Sequence, residues 1–298
     1  MSWVDRSAMR RAFERAAPGY DAHAVLQREV GARLLERLDY LKVTPQRVLD
    51  TGCGTGHGLR LLRARYPGAR LIGLDVVPAM LAQSQRADPR PAPWRRLWSA
   101  AAGQISYVCG DAQRLPVAAA SLDFVHSNLV LQWCDSPAAV FREWHRALRP
   151  GGLVLFSTFG PDTLKELRAA FAGIDGLPHV SPFVDMHDLG DMLVHAGFET
   201  PVMEMEMLVL TYAELRALLE DIRGVGGHNA AQARARGLMG RARWSLMEER
   251  YDAYRRDGRL PASYEVIYGH AWAGPVRELA DGRAVVQWQI ETRRGRHV

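Results

Sequence analysis

The chain has 298 residues, 48% of them hydrophobic, with 38 Lys and Arg against 33 Asp and Glu for a net charge of +5; that is enough apolar material for one large core, or a core plus a small subdomain. There is no run of about 18 apolar residues to span a membrane and no apolar signal core at the N-terminus, so the expectation is a cytoplasmic protein with no membrane partner. Cys53, Cys109 and Cys134 lack CxxC spacing and the ten histidines form no ligand cluster, against a disulfide frame and against a metal; 36 of the 38 basic residues are arginines interspersed with acids, against nucleic acid.

Residues 5–17 place Met9, Ala12, Phe13 and Ala16 on one helical face, with Asp5 or Ser7 as N-cap. Residues 21–38 read as a second helix, with Ala22, Leu26, Val30, Leu34 and Leu38 four apart. Helices ahead of a ligand site can close over it, and Tyr20 at their joint either offers its ring to a cation or packs the two helices together.

The central feature is a strand over 46–50 that runs into Asp50-Thr51-Gly52-Cys53-Gly54-Thr55-Gly56 and a helix over 57–65. Glycines let a ligand approach the backbone, and the helix start offers unpaired N–H groups. A dinucleotide fingerprint wants its third glycine at His57, so the match to NAD is poor. Asp50 would repel a pyrophosphate and attract an ammonium group, which favours an amino-acid nucleoside. A strand over 70–75 ends in Asp75, suited to a ribose diol, and a helix covers 78–86. A strand over 105–110 precedes Asp111, placed to accept from an adenine amine.

Between them, residues 88–104 read as a Pro- and Ala-rich surface insertion. A strand over 121–128 ends in Asn128, where a loop would touch the amino-acid end of the ligand. A helix over 137–148 is followed by a break at 149–152 and a strand over 153–158. Further on come a helix to Phe171 with Asp162 as cap, a helix over 188–197, a strand over 201–210, mostly helical sequence over 211–260, and a strand over 264–272. The tail holds a possible edge strand, 284–290. Alternating strands and helices with short breaks mean a largely parallel sheet with right-handed crossovers.

Three acids at three successive strand ends around a GxGxG turn resemble the S-adenosylmethionine-dependent methyltransferases of the Rossmann-like class. The resemblance implies an α/β seven-stranded sheet, mostly parallel with one antiparallel strand. It divides the chain into a helical lid (1–40), a cofactor-binding core (41–210), a helical substrate-selecting insertion (211–260), the last strand (261–273) and a tail (274–298).

The stretches 11–30, 127–134, 156–168 and 264–272 are, more specifically, similar to the malonyl-acyl-carrier-protein O-methyltransferases of bacterial biotin synthesis. That resemblance implies methylation of the free malonyl carboxylate, with S-adenosylhomocysteine as coproduct and an acidic carrier docking on an Arg-rich face. It assigns Tyr20, Gln27, Asp50, Gly52, Gly54, Asp75, Val76, Met80, Asp111, Ala112 and Asn128 to the cofactor. It assigns Tyr20 and His23 to the methyl-transfer step, and Trp133, Arg223 and His228 to the substrate. One departure stands out: such proteins often carry an arginine at the place of Glu220, leaving Arg223 as the nearest basic candidate for the malonyl carboxylate. Residues 178–182, 188–190, 220–221 and 261–264 are also similar to the mitochondrial complex I assembly proteins, methyltransferase-like in fold and associated with arginine hydroxylation. A silent carrier- or nucleic-acid-binding module is the third reading, and it has no need of Asp50, Asp75 and Asp111 together.

Overall fold

Val48, Leu49, Leu71, Leu74, Phe124, Val125 and the run from Leu153 to Phe156 are each buried to within 1% of full burial. Neighbouring residues of a strand point to opposite faces, so such runs need cover on both sides, the condition of central strands in a parallel sheet. The computed structural model describes residues 4–88, 103–227, 237 and 239–274, and places these runs in one seven-stranded sheet. Its strands are β1 (Arg47–Thr51), β2 (Arg70–Asp75), β3 (Ile105–Cys109), β4 (Leu122–Asn128), β5 (Leu148–Phe159), β6 (Phe198–Tyr212) and β7 (Leu260–Ala273), in the order β3-β2-β1-β4-β5-β7-β6. The first five are parallel, and β7 runs antiparallel between β5 and β6.

Three α-helices precede the sheet, α1 (Arg6–Ala16), α2 (Tyr20–His23) and α3 (Val25–Glu36), the last followed by a short 3-10 turn, Arg37–Asp39. The expected N-cap holds, with Asp5 accepting from the Ala8 amide at 2.9 Å. The single helix expected over 21–38 is instead broken at Ala24, whose ψ of 40° is not helical. The break turns the four residues of α2 out of line with α3 and onto the glycine turn, where the Thr55 hydroxyl donates to Asp21 at 2.6 Å.

The remaining described helices are α4 (His57–Arg65), α5 (Pro78–Ala87), α6 (Pro137–Ala147), α7 (Lys165–Phe171), α8 (Met186–His195), α9 (Leu215–Gly224) and α10 (Arg241–Asp252). α6 begins with Pro137 in its first turn and a Ser136 side chain accepting from the Ala139 amide at 3.2 Å. It brings Trp144 and Phe141 against Phe156 of β5, with ring centroids 5.4–5.9 Å apart. Each such side chain contributes roughly 1.5–3 kcal/mol by leaving water.

Three sequence readings are corrected. Asp162 does not cap α7: the residue before that helix is Leu164, at φ 52°, and the Asp162 amide donates to Glu265 at 2.6 Å. The break expected at 149–152 lies within β5 as an irregularity, Leu122 pairing with Leu148 and Phe124 with Leu153. β6 and β7 both run longer than their alternation indicated, because they pair with each other along nearly their whole length. Residues 89–102 of the Pro-rich stretch and the possible strand 284–290 lie outside the described residues.

Candidate active site

The carboxyl ends of β1, β2 and β4 open on a cavity of about 390 Å³. Its floor is the glycine turn. Gly52 sits at φ 71°, and a Cβ there would stand 2.3 Å from Val130 Cγ2, so both the conformation and the space require glycine. At Gly54, also left-handed at φ 52°, a Cβ would meet nothing within 4 Å, which leaves this backbone open to a ligand.

Asp75 lies beside that turn. One carboxylate oxygen accepts from the Gly54 amide at 3.0 Å and the other from the Val77 amide at 2.8 Å. Burial pushes its carboxyl up to about 6, against the opposing pull of these amides. Each oxygen retains acceptor capacity, so a vicinal diol can be bound by both. Val76, Met80 and Ala112 line the same end of the cavity. Asp111 is held by the Gln113 amide at 3.0 Å and by the Arg6 guanidinium of α1. Burial alone would raise its carboxyl, but these partners together hold it below its ordinary value. α1 thus closes over this end, with Phe13 edge-on to Trp133 at 5.1 Å and Met9 buried against both Val76 and Trp133.

Asn128 is fixed at both ends of its amide, donating to the Gln27 carbonyl at 2.9 Å and accepting from the Ser157 hydroxyl at 2.7 Å. Gln27 Oε1, by contrast, is buried with no hydrogen-bond partner. A buried acceptor left unpaired costs about 1–3 kcal/mol, so it marks a place for a ligand donor such as an ammonium group. Tyr20 lines the cavity and joins the apolar cluster of Ala17, Val77 and Met80, so it packs towards α5 as well as α1. Burial, then Asp75 and Asp21, push its phenol up, so at neutral pH it is a donor.

Asp50 does not line this cavity. It is buried, 2.7 Å from His126 Nδ1, under the start of α4. It borders a smaller adjoining cavity of about 70 Å³ that shares Tyr20, Gln27, Gly52, Gly54 and Asn128 with the first.

The other half of the cavity is apolar, walled by Phe159, Leu167, Phe171, Leu219, Ile222 and Tyr264. His23 enters here, its Nδ1 3.0 Å from Asp221 Oδ1 on α9. Its ring fills the space over Gly224, where a Cβ would stand 2.2 Å from His23 Cγ. Arg223 lines this end, whereas Glu220 pairs with Arg216 at 2.9 Å on the outer face of α9 and is not part of the wall. Glu220, where the departure falls, therefore does not itself line the cavity. His228 lies outside the described residues. Sequence reasoning missed Asp221 as a site residue; the one available signal was an acid beside Leu218, Leu219 and Ile222 on an otherwise apolar helix face.

A polar cavity end with a diol-accepting carboxylate, an open glycine turn and an unpaired buried acceptor fits S-adenosylmethionine. The methyltransferase-domain family matches residues 49–156, the stretch that builds this end. In fold the chain is similar to the Haemonchus contortus phosphoethanolamine N-methyltransferase 2 solved in complex with S-adenosyl-L-methionine. That similarity has a TM-score of 0.51 at 19% identity over 88% of this chain and 57% of the other. Fold and cavity together define an S-adenosylmethionine-dependent methyltransferase of the Rossmann-like class.

At the level of whole sequences the chain is 53% identical over 289 residues to the malonyl-acyl-carrier-protein O-methyltransferase of Laribacter hongkongensis, covering 96% of each. It is 52% identical over 284 residues to the one from Gallionella capsiferriformans, covering 95% of this chain and 96% of the other. The chain belongs to the malonyl-acyl-carrier-protein O-methyltransferase family, and the resemblance to complex I assembly proteins yields to that membership.

Proposed function

We propose that this protein methylates the free carboxylate of malonyl-acyl carrier protein, using S-adenosylmethionine and supplying the masked starter for the pimelate part of biotin. The observation that carries the reading is one cavity that runs from Asp75 and the glycine turn to His23, Tyr212 and Arg223, in a chain of this family.

When bound, S-adenosylmethionine supplies an electrophilic methyl group on a sulfonium. The protein's own task is then binding, alignment and exclusion of water. A malonyl carboxylate is ionised at neutral pH, so no general base is required. Tyr20, kept protonated beside Asp75, donates rather than abstracts. Asp75 and Gln27 Oε1 hold the donor's polar ends, and Asn128 fixes the Gln27 backbone. Arg223 and His23 would bind the acceptor anion and fix its orientation towards the donor end; alignment of this kind is worth on the order of 7–11 kcal/mol in favourable cases. The apolar wall of Phe159, Leu167 and Ile222 would keep water from the acceptor carboxylate and so favour chemistry that neutralises its charge. Trp133, which packs on Phe13 at the Asp111 end, would meet the acceptor only from the donor side, and the acidic carrier docks through the arginine-rich stretch of sequence 234–256, in the cytoplasm where its substrate is made.

Intact-mass spectrometry of malonyl-loaded carrier with enzyme and S-adenosylmethionine, beside succinyl, acetyl and unacylated carriers, tests this. One methyl gained on malonyl alone is the expected result; no gain, with cofactor still bound, overturns it.

A further inference from the structure

His23 and Asp221 stand far apart in sequence, and their meeting joins the lid to the insertion. The Asp221 carboxylate lies 3.0 Å from His23 Nδ1 and also receives the Tyr212 hydroxyl of β6. An ionised carboxylate can only accept hydrogen bonds, so Nδ1 must carry a proton. That fixes the state of the other nitrogen. In the neutral ring Nε2 is then a bare lone pair, which repels an anion; only the doubly protonated ring offers an N–H there.

We infer that Asp221 is a positioning residue that forces His23 to receive the substrate carboxylate as an imidazolium, so that substrate binding takes up a proton. The inference rests on the malonyl reading of the acceptor. In balance, one solvent proton is bound at Nε2 as the anion enters. When methyl transfer converts the carboxylate to a neutral ester, that proton has lost its partner and returns to solvent. Product therefore loses an ionic contact that substrate had, which separates the two at the same site.

Among the described residues, the charged and titratable groups brought to this part of the cavity are Asp221 and Arg223 from α9, Tyr212 from β6, Tyr264 from β7, His179 from the segment before α8, Arg28 from α3, and Tyr20 and Asp21 from α2 itself. Asp21 is engaged by Thr55, Arg28 donates to the Asp21 carbonyl, and Glu220 is turned outward to Arg216. Asp221 is thus the carboxylate in direct contact with the ring.

The test uses the full chain with S-adenosylhomocysteine and malonyl-pantetheine, by calorimetry in two buffers of different ionisation enthalpy. At alkaline pH the expected result is uptake of close to one proton. KM for malonyl carrier rises about tenfold per pH unit in that range. In Asp221→Asn the amide can turn its NH2 to Nδ1, so a neutral ring can present Nε2–H; the uptake and the KM slope are then both lost, while S-adenosylhomocysteine affinity stays within twofold. Nitrogen NMR of the wild-type protein adds a reading that needs no variant: neutral His23, assigned through His23→Gln, carries its proton on Nδ1. Equal proton uptake in wild type and Asp221→Asn, no uptake in wild type, or a proton on Nε2 would each overturn the inference. A wild-type enzyme that methylates malonyl carrier yet takes up no proton removes this inference alone. One that neither binds nor methylates malonyl removes the proposed function with it.

Discussion

Asp75 carries an energetic cost that its ligand relieves. With its carboxyl pushed from an ordinary 3.8 to about 6 by burial, the ionised form costs the ligand-free protein about 3 kcal/mol at neutral pH. Hydroxyl donors from a bound ribose stabilise that ionised form and lower the pKa in the complex. Binding then releases a proton below about pH 6, and affinity falls as pH drops through that value. Titration calorimetry with S-adenosylhomocysteine between pH 5 and 8 is expected to show a flat affinity above about 6.5 and a decline below it, with the decline absent in Asp75→Asn. Asp75→Ala should weaken binding at every pH, by at least tenfold; unchanged affinity removes Asp75 from the site. Tyr20→Phe removes a donor but no base, so kcat should fall moderately, about tenfold or less, with no change in the pH profile. The acids and glycines of this half were legible because each is announced locally, an acid at the end of an apolar run or a glycine where the chain must turn; Gln27, Val76, Met80 and Ala112 came only from the family resemblance. Asp50 shows the limit of that reasoning. Its place at the carboxyl end of β1 was clear, but its partner His126 comes from a strand that pairs with β1 only in the folded sheet.

Among the elements, α2 was the least legible. The apolar spacing of Ala22, Leu26 and Val30 runs straight through the break at Ala24, because the break is set by contacts outside the helix. Thr55 holds Asp21 from one side, and α9 meets His23 from the other. Nothing near residue 24 encodes either contact, just as nothing near residue 221 encodes its meeting with His23. Gly224 shows how closely the two helices approach. Gly224→Ala would put a methyl group where the His23 ring lies, so kcat/KM for the acceptor should fall by at least tenfold while S-adenosylhomocysteine affinity, measured by calorimetry, is retained. At the other end of the lid, Arg6 fastens α1 to Asp111. In Arg6→Ala the arm is released, and stopped-flow measurements should show a faster S-adenosylhomocysteine off-rate, by several-fold, with the folded core intact.

For the molecule as a whole, β7 is tied to α7 and to the turn before it by two buried carboxylates, Glu166 on the helix and Glu265 on the strand. Glu166 accepts from the Ser263 amide at 3.1 Å and its hydroxyl at 2.5 Å, and Glu265 accepts from the Asp162 amide at 2.6 Å. Glu166→Ala leaves Ser263 with two buried donors unpaired, and chemical denaturation should show a loss of about 2–4 kcal/mol. The cavity touches α1, α2, the glycine turn and α9 at once, so a bound ligand stabilises all of them together. At 100-fold over its dissociation constant the gain is about 2.7 kcal/mol, readable as a single cooperative shift in Tm.

The path of the chain between β6 and β7 has a consequence for how such a protein can change. The segment leaves the sheet at Tyr212 and returns at Leu260, two residues that face each other in the antiparallel ladder. Its ends are therefore already joined, like the two posts of a handle. Lengthening, shortening or exchanging the handle leaves the register of every strand untouched, and each doubling of its length costs only about 0.6 kcal/mol in closure entropy. The donor end of the cavity is built from β1, β2 and β4, on strands that do not adjoin this pair. The residues this segment brings to the cavity, Leu219, Asp221, Ile222 and Arg223, can thus be exchanged as one contiguous piece, while Phe159, Leu167, Phe171 and Tyr264 on the same wall, and the strand ends opposite, stay as they are.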